Sequence, residues 1–264
     1  MEKRRVGNVE VIALVDNIQA WPASSVYPEA GDGLGRFAGY LDGEGRLELN
    51  FGCFLLLDSG RTILVDTGWG PEFKGRLLEE LAASGVDRAA IGTVIFTHLH
   101  GDHTGWNIDR ASGQPLFPQA RYLVPRADWD HYGAESPPPD SFARDVVPLQ
   151  ALGRLELMDG ETRLSPSLTA VATPGHTPGH TSVAISSGGE RGFILGDVVI
   201  SQIDAEEPGW SNAFDTDNDL ARTTRERVMK ELADNKALVG ASHLRAPGFG
   251  RFVREGAKTG WVAG

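Results

Sequence analysis

The sequence predicts one large layered α/β domain. Three observations point there. The 264 residues exceed an ordinary domain but suit one large layered unit. Hydrophobic residues make up 41% and charged residues 23%, which supports a sizeable core and argues against disorder. Strand-like and helix-like runs occur in both halves, and no linker divides residues 1–264.

The elements read in order as follows. "NVEVIALVDNI" is apolar and partly alternating, and reads as a first strand. Residues 21–50 are rich in Gly and Pro and carry Trp21, Tyr27, Phe37 and Tyr40. A long irregular stretch of this kind is a lid over a site or a plain surface excursion. "FGCFLLLD" and "RTILVDTG" read as strands joined by a turn at Ser59-Gly60. Pro71 opens a helix that Gly85 ends. "IGTVIF" and "ARYLVP" are buried strands, and a helical stretch follows near "RADWDHYG". The triple proline Pro137-Pro138-Pro139 marks a loop, and Pro148 interrupts the partly helical "SFARDVVPLQAL".

The second half repeats the strand-rich style in "LELMDG", "ETRLSPSLTAVATPG", "TSVAISSG" and "RGFILGDVVIS". "DLARTTRERVMKELADN" is a strong helix pattern, with Leu220, Val228 and Leu232 near one face and Met229 as packing. "KALVGASH" is an internal strand, and the remainder reads as turns and short extended pieces.

Composition narrows the function classes. A formal net charge of -11 opposes a nucleic-acid groove. The single Cys53 excludes an intramolecular disulfide, and without a base beside it the thiol reads as a small buried hydrophobe. No apolar stretch approaches the ~18 residues of a membrane span, and "VEVIALVD" is too short for a signal peptide. The expectation is a cytoplasmic enzyme or binding protein that takes a small molecule and binds neither nucleic acid nor membrane.

"THLHGDHTGW", Thr97 to Trp106, holds three of the seven histidines. His98 and His100 are two apart at a strand end, so both imidazoles face one side and can share a metal ion. Asp102 and His103 follow a turn at Gly101 and can aim at a second point nearby. Further donors stand at other strand ends: His176 in "TPGHTPGH", Asp197 in "FILGDVV" and His243 after "ALVGAS". Asp66 in "ILVDTG" either orients a ligand histidine or caps a turn. His180 is either a supporting donor or a bond within its Pro-Gly loop, and His131 is an exposed residue.

With these residues in hand, the sequence resembles the metallo-β-lactamase superfamily. Its signature His-x-His-x-Asp-His, followed by His, Asp and His, appears here as His98, His100, Asp102, His103, His176, Asp197 and His243. The resemblance covers about Val9 to His243 and implies an α+β fold, a four-layer αββα sandwich with metals at one edge. It implies two divalent ions, zinc in most members, with manganese, iron or cobalt as alternatives. His98, His100 and His176 would hold one ion, and Asp102, His103 and His243 the other. Asp197 would bridge them, with Asp102 and Asp197 as catalytic carboxylates. A hydroxide shared by the two ions would attack an ester, lactone or aryl phosphotriester.

The second half also resembles methyl parathion hydrolase-like proteins, through "FDTD" before the long helix and "SHL" at the final histidine. N-acyl homoserine lactonases often carry a tyrosine three residues after the bridging aspartate, where this chain has Ile200. Trp106, Ile200, Trp210 and Phe214 are candidates for the substrate pocket, with Trp21 and Phe37 reaching in from residues 21–50. The alternatives are a mononuclear iron persulfide dioxygenase and a glyoxalase II-like thioesterase, and a homodimer is expected by analogy.

Overall fold

The computed structural model describes residues 1–256 and 258–264. Two mixed sheets, each of seven strands among the described residues, face one another. The first runs in chain order: β1 (Glu2–Val6), β2 (Val9–Pro22), β3 (Arg46–Asp58), β4 (Arg61–Val65), β5 (Thr93–Ile95), β6 (Arg121–Pro125) and β7 (Leu155–Met158). Its first four strands pair antiparallel, and β4 to β7 pair parallel. The second sheet has β8 (Thr162–Arg163), β9 (Leu168–Ala172), β10 (Thr181–Ser187), β11 (Glu190–Ile194), β12 (Leu238–Gly240), β13 (Phe249–Glu255) and β14 (Lys258–Ala263) in spatial sequence. Only β11 and β12 pair parallel there among the described residues.

The period-two alternation of side chains makes four layers from these two sheets. On β3, Cys53 and Leu55 face outward to a cluster with Leu77, Leu81, Tyr132, Phe142 and Leu149 from covering helices. Phe54 and Leu56 face inward, against Leu168, Val183, Ile185 and Ile194 of the second sheet. Leu195, beyond β11, and Val239 of β12 face out again, under Val228, Met229 and Leu232 of the helix Asn218–Asp234. The expected αββα order is therefore helices, sheet, sheet, helix. The sheets approach closely where Gly240 meets Phe54: a Cβ on Gly240 would lie 2.7 Å from that ring.

Several elements differ from the sequence reading. The charged start of the chain is strand β1, because hairpin pairing with β2 lets its charges stand on an edge. Residues 21–50 are not one irregular loop. They contain the end of β2, a helical turn Ala23–Val26, 3-10 turns across Gly31–Tyr40 and the start of β3. Their apolar residues Ala23, Val26, Tyr27 and Phe37 pack with Leu47, Leu49, Phe51, Ile200 and Ile203. The helix opened by Pro71 breaks at Lys74, which has a left-handed φ of 60°, and resumes as Leu77–Ser84. The stretch before Pro148 is helical as expected but irregular: a π-helical segment, Phe142–Val146, runs directly into the helix Val147–Ala151, which carries Pro148 in its first turn. Leu220 is exposed, and Arg225 joins Ala221, Val228 and Leu232 on the buried face. The chain end forms the β13–β14 hairpin. No helix among the described residues is long and apolar enough to cross a membrane.

Phe54 is 1% exposed and packs against Phe249 with ring centroids 5.7 Å apart. Phe54→Ala should therefore cost about 3–5 kcal/mol of unfolding free energy. Urea denaturation checks this, and a loss below about 1 kcal/mol would contradict close packing between the sheets.

Candidate metal centre

The donor residues collect where strands end. Asp66 follows β4, His98 and His100 follow β5, His176 follows β9, Asp197 follows β11 and His243 follows β12. In such sheets the carboxyl ends of parallel strands leave a crevice for ligands. His103 and Asp102 come from the one-turn helix Gly101–Thr104. Two groups of donors result. His98, His100 and His176 form one, and Asp102, His103, Asp197 and His243 form the other; within each group the ligand atoms lie within 4.8 Å of one another.

Hydrogen bonds behind the imidazoles decide which nitrogen is free. His103 Nδ1 donates to Asp66 Oδ2 at 2.8 Å, and His176 Nδ1 donates to Asp215 Oδ1 at 3.0 Å. His243 Nδ1 donates to the carbonyl of Asn50 at 2.7 Å. The Thr97 hydroxyl donates to Asp66 Oδ2 at 2.8 Å, which leaves its oxygen to accept from His98 Nδ1 at 3.0 Å. Each of these four rings then presents a bare Nε2 lone pair to the crevice. Nε2 of His98 and Nε2 of His176 both stand 3.0 Å from His100 Nδ1.

The carboxylates complete the picture. Asp197 Oδ2 lies 2.9 Å from His243 Nε2, 3.4 Å from His176 Nε2 and 3.8 Å from His98 Nε2. Its Oδ1 lies 3.3 Å from His103 Nε2. Asp197 therefore reaches both groups. Asp102 Oδ2 sits 3.4 Å from His103 Nε2 and 3.5 Å from His243 Nε2. His103 Nε2 and Asp197 Oδ1 are buried without a hydrogen-bond partner. Orphaned groups of this kind are costly unless something binds them. A divalent cation meets that demand, and nitrogen and carboxylate donors suit zinc.

The electrostatics agree. Burial and the neighbouring imidazoles hold His98 well below the ordinary histidine range, and burial with His176 holds His100 down at about 4. Both imidazoles are neutral at neutral pH. Burial opposes a charge on His103, yet Asp197, Asp102 and Asp66 raise its pKa well above the ordinary value. The same three carboxylates favour a cation beside this ring.

Supporting residues surround the donors. Asp66 adopts a left-handed φ of 61° and also accepts from the Thr97 backbone N–H at 2.8 Å. Of its two sequence readings, orientation of a histidine is the one the geometry carries. His180 accepts from the backbone N–H of Asp197 at 2.9 Å and donates to the carbonyl of Thr173 at 3.1 Å, so it fixes the loop that presents Asp197. Asp215 and Arg225 went unrecognised in the sequence. Arg225 is 1% exposed and donates to Asp215 Oδ2 at 2.9 Å and to the carbonyl of Val198, next to Asp197, at 3.0 Å. The "FDTD" stretch was the available signal for Asp215.

A cavity of about 440 Å³ opens over the donors. His100, Asp102, His176, Asp197 and His243 form its polar floor, and Trp21, Leu49, Phe51, Trp69, Ile200 and Phe214 its apolar walls. Ile200 and Phe214 are thus where the sequence reading put them. Trp106 and Trp210 are not among the lining residues. Trp106 turns away to donate through Nε1 to Asp16 Oδ1 at 2.8 Å and packs under the outer helices. Trp210 lies outside the lining, edge-on to Phe37 at 5.5 Å; Phe37 is buried and Trp210 half-buried. Trp69, unrecognised in the sequence, takes the wall position and stacks on Phe51 at 4.2 Å. Its backbone N–H donates to Asp16 Oδ2 at 2.7 Å.

Two facing sheets with helices outside, and two His/Asp groups at one edge, define a metal-binding sandwich. The Metallo-beta-lactamase superfamily model matches residues 53–243, and the chain belongs to that superfamily. The chain is similar to metallo-beta-lactamase domain-containing protein 1 of Homo sapiens, at 30% identity over 172 residues, 63% of this chain and 53% of that protein. It is also similar to an N-acyl homoserine lactonase of a Bacillus species, at 27% identity over 164 residues, 53% of this chain and 60% of that one. Among solved structures it is similar to AidC, a dizinc quorum-quenching lactonase in complex with a homoserine product. The TM-score is 0.87 at 25% identity, over 100% of this chain and 97% of AidC.

Asp215→Asn keeps an oxygen for His176 but removes the charge facing Arg225. It should lower zinc affinity by roughly 10–100-fold, measured by competition with a chelator. Wild-type affinity in the variant would contradict the role assigned to Asp215.

Proposed function

We propose that the chain is a metal-dependent hydrolase with two divalent ions, and that it opens lactones bearing an apolar acyl chain. One observation carries this reading. The seven donor residues converge at one end of a cavity whose remaining walls are aromatic and aliphatic. A substrate matched to such a site has a small electrophilic head and an apolar tail. Among the described lining residues there is no Lys or Arg. The site therefore offers no cationic side chain to a phosphate monoester, a nucleic acid or a peptide carboxylate, which disfavours a nuclease and a thioesterase for acidic thioesters. Similarity to AidC and to the Bacillus lactonase supports the lactone over other esters.

His98, His100 and His176 would hold one ion, Asp102, His103 and His243 the other, with Asp197 between them. Bound there, the pair of ions supplies an activated water nucleophile and polarises the scissile carbonyl. The protein's own part is geometric and electrostatic. Asp102 and Asp197 offset the cationic charge. Asp66, Asp215 and the Asn50 carbonyl hold the imidazoles in one tautomer. Trp21, Phe51, Trp69 and Phe214 exclude bulk water and align the acyl chain. Ile200 contributes no hydroxyl, so the chain supplies no proton to the leaving alkoxide from that position.

The test is a substrate series on zinc-reconstituted protein: N-acyl homoserine lactones of increasing chain length, a phenyl ester, a phosphotriester, a thioester and a β-lactam. The lactones should give the highest kcat/KM. Asp197→Asn should lower kcat/KM on them by about 100-fold or more and reduce metal content. Phe214→Ala should raise KM for long acyl chains with little change in kcat, since the lost contact binds ground and transition states alike. Equal rates on all five classes, or full activity after exhaustive chelation, would overturn the proposal.

A further inference from the structure

Asp128 lies outside both donor groups and outside the cavity lining, yet its carboxylate joins the two loops that bring the three-histidine group together. It is 0% exposed and sits in the first turn of the helix Arg126–Gly133. Oδ2 accepts from the backbone N–H of Leu99, the residue between His98 and His100, at 3.2 Å. The same oxygen accepts from the hydroxyl of Thr177, next to His176, at 2.9 Å. Oδ1 accepts from the backbone N–H of Gly179 at 2.6 Å. Loops 98–100 and 176–179 come from different sheets, one following β5 and the other β9. They are far apart in sequence, and this buried carboxylate spans them.

The fit is specific to a carboxylate. Three donors point at two oxygens that carry no hydrogen. An amide in the same place presents one NH2 group, which meets either Leu99 N–H or Gly179 N–H as donor against donor. The loop has no slack to yield: a Cβ on Gly179 would lie 2.7 Å from the Asp128 nitrogen and 2.8 Å from Oδ1.

We infer that Asp128 is a positioning residue for one of the two metal sites: by clipping loop 98–100 to loop 176–179 it sets the spacing of His98, His100 and His176, while Asp102, His103 and His243 of the other group have supports of their own. This rests on the two-ion reading above. In that other group, Asp102 and His103 ride on the helix Gly101–Thr104, and His243 is held through Asn50; Asp197, which reaches both groups, is supported by His180, next to Gly179. The hydrogen bonds of Asp128 run to neither the Gly101–Thr104 helix nor Asn50. Removing the clip should therefore separate the two affinities, where general loosening would lower both.

Chelator-stripped full-length protein is titrated with Co2+, followed by visible absorption, and the bound Zn2+ is counted after dialysis. The wild type should take up two ions per chain. Asp128→Asn should weaken one site by roughly 10–100-fold and the other by much less, so that dialysis leaves one Zn2+. Thr177→Val, which removes a single donor, should shift the same site in the same direction by less. Thr177→Ser, which restores the hydroxyl, should return it to the wild-type value. These two variants decide the matter even if Asp128→Asn does not fold. Two unchanged sites in the variants, or equal weakening of both, would overturn the inference alone. Fewer than two ions in the wild type would overturn the two-ion reading and the clip with it.

Discussion

Everything at this site depends on the hydrogen bonds made by Nδ1 of four histidines. Asp66, Asp215, the Asn50 carbonyl and the Thr97 hydroxyl each accept one of them. A neutral imidazole has one N–H and one lone pair, so fixing the first fixes the second. The four bare nitrogens then face inward, towards the buried Asp197 and the half-buried Asp102. Without a cation such a cluster is a poor way to fill a protein interior, because burial penalises charge and leaves His103 Nε2 and Asp197 Oδ1 unmatched. The arrangement makes physical sense as a binding site.

The fold makes this constraint affordable. Each sheet is anchored by two apolar layers, one shared between the sheets and one under helices, and these carry the stability. The strand ends are free to hold polar residues at one edge. Loops from both sheets meet there, so donors from across the chain share a few ångströms. The buried Arg225 ties this edge to the long outer helix, since its guanidinium reaches both the Asp215 carboxylate and the carbonyl beside Asp197. Such a charge is tolerable in the interior because every side of it meets an acceptor.

Much of the site was legible in the sequence because its signal is local. His98 and His100 share a face by strand geometry, and histidine and aspartate after apolar runs mark strand ends. The apolar run "FGCFLLLD" was equally readable as a strand. What escaped was decided by distant contacts. Trp106 is adjacent in sequence to the histidine cluster, but an indole N–H seeks an acceptor and the one in reach, Asp16, lies on the far side from the cavity. Asp16 itself stands at a bulge in β2, where pairing skips from Val15 to Asn17, and no pattern in "LVDNI" announces it. Residues 21–50 hid their helical turns behind glycines, and their order comes from packing on Ile200, Ile203 and Trp210. Arg225 gave no signal because the carboxylate that pairs with it, Asp215, was not identifiable as buried.

The central claim is that seven side chains form one centre for two ions, and a crystal structure of the zinc-loaded protein with anomalous scattering tests it most directly. The account predicts two zinc peaks, one against His98, His100 and His176, the other against Asp102, His103 and His243, with Asp197 contacting both. A single peak, or zinc bound away from these residues, would contradict it.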